Sequence, residues 1–158
     1  MLKRLHPEYF KNLVFGIEDS VVSTVGVLFG LATDAMDRST IFTTGLIVIS
    51  VEAISMGIGS YLSEESTQEI DGQKHKDKPA IEGIIMFCSY YFAGFVPLIP
   101  YIFFDIVSAK YVSVIVALFT LFLVGFIPSK KAKSGLKMAV LAGFAIFIGF
   151  TVGKFLKL

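Results

Sequence analysis

Apolar residues run through this chain in five long blocks, at 10–33, 39–63, 80–104, 107–128 and 135–156, each parted from the next by a short polar stretch. Crossing a bilayer takes roughly 20 mostly apolar residues as helix. Each block therefore predicts one membrane helix, and together they predict an all-α, polytopic membrane protein. The separators are ATDAMDRST, EESTQEIDGQKHKDKP, a very short turn near Asp105, and PSKKAKSGLK. With 64–79 read as a short loop and with no internal repeat or low-complexity tract, residues 1–158 form a single transmembrane domain. The start, MLKRLHPEYFKNLVFG, has the basic flank of a signal peptide, but its apolar stretch continues to Ala32 without a small-residue cleavage site, which makes it a retained first helix.

Composition supports the bilayer and removes other classes. At 54% hydrophobic and 14% aromatic residues, a chain of 158 residues has more apolar surface than a water-facing domain of this size buries. A net charge of +1 offers no basic surface for nucleic acid. The single cysteine, Cys88, excludes an internal disulfide, and no zinc spacing is present. No Ser-His-Asp set, HExxH or nucleotide loop argues for an enzyme. Of the 14 lysines and arginines, ten (Lys3, Arg4, Lys11, Lys74, Lys76, Lys78, Lys130, Lys131, Lys133, Lys137) fall on one side of five alternating spans. Arg38, Lys110, Lys154 and Lys157 fall on the other. By the positive-inside rule the N-terminus and the 64–79 loop are cytoplasmic and the C-terminus is not.

Polar residues inside the blocks hold the candidate chemistry. On a helical wheel of about 100° per residue, Gly16, Asp19, Ser20, Ser23, Gly26 and Gly30 share one sector of the first helix, while Glu18 points away from its centre. Small residues at this spacing let membrane helices approach closely. A carboxylate among them marks an ion or proton route, because intramembrane acids face a bundle interior or a water-filled path. In the second helix Glu52 and Met56 lie one turn apart, with Gly45, Gly59 and Ser63 on their face. By helical rise, Asp19 sits about 12 Å from the start of its helix, and Glu52 and Met56 about 16 and 10 Å from the end of theirs. Two antiparallel neighbours thus bring Asp19, Glu52 and Met56 to overlapping depths. Carboxylates suit divalent cations, and a thioether shifts preference toward transition metals over magnesium or calcium.

The stretches GIEDSVVSTVGVLFGLA and GLIVISVEAISMGIGSYLSEES resemble the vacuolar iron transporter family of iron and manganese exporters, whose first helix carries D-G-x-V-S-T and whose second carries S-M-x-x-G-E-Y. FAGFVPLIPYIFF, with Pro97 and Pro100, is similar to that family's third helix. The resemblance implies a five-helix subunit, a homodimer with a metal path along its interface, and exchange of Fe2+ or Mn2+ for protons. No tightly bound cofactor is implied. Asp19 and Met56 are the positions that match the family's aspartate and methionine. The small face of Gly16, Ser23, Gly26 and Gly30 becomes the dimer-packing surface. This chain has Ser20 and Ser60 where the family has glycine and glutamate; Glu52, eight residues before Ser60 and within about 80° of it on the wheel, is the candidate to stand in for the missing acid. The 64–79 connection is too short for the cytoplasmic metal-binding domain of many members.

Glu64, Glu65 and Glu69, with Asp71 and His75, are candidate cation collectors at the cytoplasmic mouth, although interleaved acids and lysines also suit a solvated link. Ser89, Tyr90 and Tyr91 can hydrogen-bond into a cavity or belong to an aromatic belt, and Pro97 with Pro100 should break or kink the third helix. The fourth helix is apolar enough to face lipid, and Gly149 with Gly153 forms a second packing motif. The expected partners are therefore a second copy, lipid and divalent metal, in the inner membrane of a prokaryote or a vacuolar-type membrane of a eukaryote. Two alternatives stay open: a non-transporting membrane subunit that docks a partner through its small-residue faces, and a proton-coupled exporter of organic cations.

Overall fold

The computed structural model describes residues 7–32, 37–72 and 78–156. His75 and the terminal and loop cations Lys3, Arg4, Lys74, Lys76 and Lys157 lie outside the described residues. The elements are α1 (Pro7–Leu31), α2 (Arg38–Asp71), α3 (Pro79–Leu98), α4 (Pro100–Phe103), α5 (Ile106–Ser129) and α6 (Ala132–Leu156), with no strand among the described residues. Five helices are long and apolar enough to cross a membrane, α3 and α4 together counting as one. This is the architecture of an integral membrane protein.

Side chains at the polar separators start and end the helices. The Asp37 carboxylate accepts the Thr40 hydroxyl at 2.7 Å and its backbone N–H at 2.8 Å, capping α2. Asp105 accepts the Ser108 N–H at 3.0 Å and caps α5 in the same way. These hydrogen bonds, from the Thr40 side chain first at Asp37 and from the Ser108 backbone first at Asp105, hold both carboxyls below the usual carboxylate range. Lys110 donates to the Ala32 carbonyl at 3.0 Å, beyond the end of α1, and its ammonium stands 4.5 Å from the centre of the Phe29 ring.

The largest departure from the apolar pattern is in α2. Helix α2 does not stop at 63 but continues for 34 residues in all to Asp71, ending at Gly72 in the left-handed conformation at φ 64°. Its polar extension is laced by contacts one turn apart: Tyr61 to Glu65 at 2.7 Å, Thr67 to the Ser63 carbonyl at 2.9 Å, and Gln68 to Glu64 at 2.9 Å. Such a helix is about 50 Å long, so its acidic end stands beyond a hydrocarbon core of about 30 Å. The third span is divided at Ile99, between Pro97 and Pro100, although Ile99 keeps helical dihedrals and donates its N–H to the Phe95 carbonyl at 2.8 Å. Beside it, the Ser113 hydroxyl of α5 donates to the Pro97 carbonyl at 2.7 Å, which satisfies that carbonyl inside protein.

Helix α1 is the hub, packing against α2, α3, α5 and α6. One apolar core joins Leu28, Ile41, Ile49, Leu98 and Tyr101; another joins Val21 and Val25 to Ala117, Leu121, Ala142 and Ile146. In α5 the buried positions Ala109, Ser113, Ala117 and Leu121 recur every fourth residue, whereas Tyr111, Ile115 and Phe119 are exposed, a face suited to lipid. Helices α2 and α3 approach closely where Gly57 meets Gly83. A Cβ on Gly83 would lie 2.8 Å from the Gly57 carbonyl oxygen and 3.1 Å from the Tyr61 Cβ. Gly83→Ala is therefore expected to destabilise the bundle by about 1–3 kcal/mol. Gly59→Ala, whose methyl meets open space, is expected to leave stability unchanged or slightly raised. Thermal unfolding in detergent compares the two.

Candidate functional site

Three helices meet around the carboxylate of Glu52. Tyr90 of α3 donates its hydroxyl to Glu52 Oε2, and Ser23 of α1 donates to the same oxygen at 3.1 Å. The Ser23 and Tyr90 oxygens are themselves 2.7 Å apart, closing a triangle of polar groups among apolar helices. Tyr90 is 1% exposed. Its backbone is fixed as well, because the buried Ser20 hydroxyl donates to the Tyr90 carbonyl at 2.6 Å. Asp19, half-buried one turn before Ser23, lies within electrostatic reach of both Glu52 and the Tyr90 hydroxyl.

Met56 sits one turn along α2 from Glu52 and faces a cleft of about 900 Å³ between α1, α2 and α3. The cleft lies toward the bundle end that carries Lys11, Lys78, Lys130 and Lys131, here termed the lysine-rich end. Ser60, Glu64, Asn12, Glu82 and Met86 also line it, while Asp19 and Glu52 lie outside its walls. Of the three acids expected at the mouth, Glu64 is thus on the cleft, Glu65 is engaged by Tyr61, and Glu69 is exposed.

The small residues of α1 divide among several tasks. Gly16 packs inside its own chain, since a Cβ there would collide with the Ser89 hydroxyl and lie 3.2 Å from the Met86 sulfur. Ser23 is committed to Glu52. Gly26 passes close to α6, where a Cβ on Gly149 would be 3.6 Å from its Cα, yet its own Cβ direction is open. Gly30 is partly buried. Among the tyrosine and serine candidates of α3, Tyr90 alone reaches the acid. Ser89 donates to the Met86 carbonyl at 3.0 Å, and Tyr91 stacks on Phe87 with ring centres 5.8 Å apart.

Sequence reasoning did not single out Glu82. It is 4% exposed and accepts the Asn12 amide at 2.8 Å on Oε2. An acid in the first turn after Pro79 reads simply as favourable charge at a helix start. The available signal was the repeated pattern Glu-x-x-x-Met, at Glu52 with Met56 and again at Glu82 with Met86.

Among the described residues no group of three His, Cys, Asp or Glu side chains is placed to hold a metal ion. A cation at Asp19 and Glu52 therefore needs donors beyond those two acids. What the arrangement can do is hold a carboxylate pair inside a membrane bundle, with hydroxyl donors on one side and a thioether leading to an open cleft on the other.

A polytopic membrane bundle with acids within its membrane-length helices is the class these features define. The VIT family model matches residues 10–80 and, in an overlapping segment, 64–154. The chain belongs to this family, the vacuolar iron transporters. No curated protein matches the chain.

The Glu52 triangle has a measurable signature. Tyr90→Phe removes one donor to a buried carboxylate and is expected to lower stability by about 1.5–3 kcal/mol. Combined with Glu52→Gln, the loss should fall short of additive by at least about 0.5 kcal/mol in a double-mutant cycle followed by thermal unfolding.

Proposed function

We propose that this protein moves a divalent transition metal, Fe2+ or Mn2+, out of the cytoplasm in exchange for protons. The observation that carries the reading is the Glu52 carboxylate, held at membrane depth by Tyr90 and Ser23 with Asp19 beside it and Met56 one turn away. Family membership supports the transport of metal; the donor types support a borderline cation. The lysine-rich end is the cytoplasmic end, by the charge bias of the loops. Metal then approaches through the cleft, passes Met56 and loses water to Asp19 and Glu52. Protons from the opposite side compete for the same carboxylates and favour release.

A homodimer completes the coordination. Two copies related by a two-fold axis along α1 present two Asp19 and two Glu52 side chains to one path, and the open side of Gly26 gives the second helix room to approach. Ser23 and Gly16, being engaged within the chain, contribute less to that contact than Gly26 and Gly30.

Asp19→Asn and Glu52→Gln, which remove charge with little change of shape, are each expected to abolish metal uptake into liposomes at equal protein level. Met56→Ala is expected to retain flux and lose discrimination among divalent metals. Unaltered flux in both acid variants would refute the reading. In a Cys88→Ser background, Gly26→Cys is expected to crosslink between copies, and crosslinking at Phe119→Cys in its place would put the interface elsewhere.

A further inference from the structure

The hairpin of α5 and α6 holds a positive charge that its own helices do not balance. Lys130, Lys131, Lys133 and Lys137 cluster at the lysine-rich end, all four exposed, and the sequence carries no Asp or Glu from Ile106 to Leu158. Among the described residues none of the four side chains makes a hydrogen bond or ion pair. Other lysines at this end differ: Lys11 is paired with Glu8 at 3.2 Å, and the 64–79 connection interleaves its lysines with acids. We propose that the outward face of α6, with the α5–α6 turn, is a docking site for an anionic phospholipid of the leaflet at the lysine-rich end. The proposal goes beyond the transport reading and does not depend on the cargo.

The shape of the face fits that occupant. Along α6, Lys133, Lys137, Val140 and Phe144 follow one another at intervals of four, three and four residues and fall within about 60° on the wheel. Val140 and Phe144 are 61% and 65% exposed. Cations therefore lead into apolar side chains along one row, as a phosphate leads into acyl chains. The row is about 16 Å long, close to half of a hydrocarbon core of about 30 Å, so it matches a single leaflet. An acidic protein or free phosphate would meet the charges and leave the apolar half of the row uncovered.

The turn holds its lysines together. A Cβ on Gly135 would lie 2.6 Å from the Phe122 carbonyl oxygen, and one on Gly125 would lie 2.8 Å from that of Ser134, so α5 and α6 touch backbone to backbone beside the turn. Like charges one helical turn apart, such as Lys133 and Lys137, repel each other, and a phosphate between them removes that cost. Lys130 caps α5 in the left-handed conformation at φ 54°, where glycine is the easier residue. The backbone gives no reason for a lysine at that position, whereas attraction to an anionic leaflet, which grows with each basic side chain near it, does.

The test is thermal unfolding of the purified full-length protein in neutral detergent with added phosphatidylglycerol or phosphatidylcholine, together with native mass spectrometry of the retained lipid. Phosphatidylglycerol is expected to raise the midpoint more and to be retained in preference. Lys133→Gln combined with Lys137→Gln should weaken that retention by about tenfold or more, and high salt should weaken it as well. Lys11→Gln, at the same end but already paired, should leave it unchanged. Lys130→Gly should keep or raise the midpoint in phosphatidylcholine while shrinking the increment from phosphatidylglycerol, a split that a purely structural lysine would not produce. An unchanged preference for phosphatidylglycerol in both the double variant and Lys130→Gly would overturn the site, as would an equal loss in Lys11→Gln, the mark of general surface charge. Equal stabilisation by inorganic phosphate or polyglutamate would overturn the lipid as occupant. If the double variant does not yield folded protein by size-exclusion chromatography, Lys130→Gly alone decides.

Discussion

A carboxylate inside a bilayer must find hydrogen-bond donors within the protein, and that requirement at Glu52 organises this half of the molecule. A charge at the bilayer centre costs several kcal/mol unless it is compensated. Here the compensation comes from two other helices, through the Tyr90 and Ser23 hydroxyls. Helices α1, α2 and α3 are thereby fixed in register at one depth. Ser20 strengthens the arrangement by binding the Tyr90 backbone, so that sliding α3 along α1 would break two contacts at once.

The remaining helices serve this arrangement without sharing its chemistry. Helices α5 and α6 pack on α1 through Ala117, Leu121, Ala142 and Ile146, and they turn large apolar side chains outward. Polar groups inside the bundle concentrate on α1, α2 and α3, together with the cleft between them. Close glycine contact between α2 and α3 brings Met56 and Glu82 to a common space, and Gly16 leaves Met86 room beside them. The result is a polar track through one side of a largely apolar bundle, with an open cleft at one level and the Glu52 carboxylate with its hydroxyl donors at the next.

Much of this was legible in the sequence, for physical reasons that also mark its limits. The five spans are visible because hydrocarbon demands long apolar runs, and the division of the third span because proline lacks an N–H. Wheel geometry read Ser23 as part of a dimer-packing surface, but within the chain its hydroxyl donates to Glu52. The extension of α2 to Asp71 was hidden, since a polar helix held by contacts such as Gln68 to Glu64 has no apolar stripe. Gly16 read as a surface for a second copy, but α3 of the same chain fills that space with Ser89 and Met86. Glu82 was passed over because its burial depends on Asn12, a residue 70 positions away, and nothing local in the sequence reports such a contact.

The central claim is that Asp19 and Glu52 converge on one transported cation. Its most direct test is an experimental structure of the Mn2+-loaded protein with anomalous scattering recorded at the manganese edge. A peak is expected between Asp19 and Glu52, within about 2.0–2.6 Å of carboxylate oxygens. Manganese bound to the protein with no peak between those two acids would contradict it.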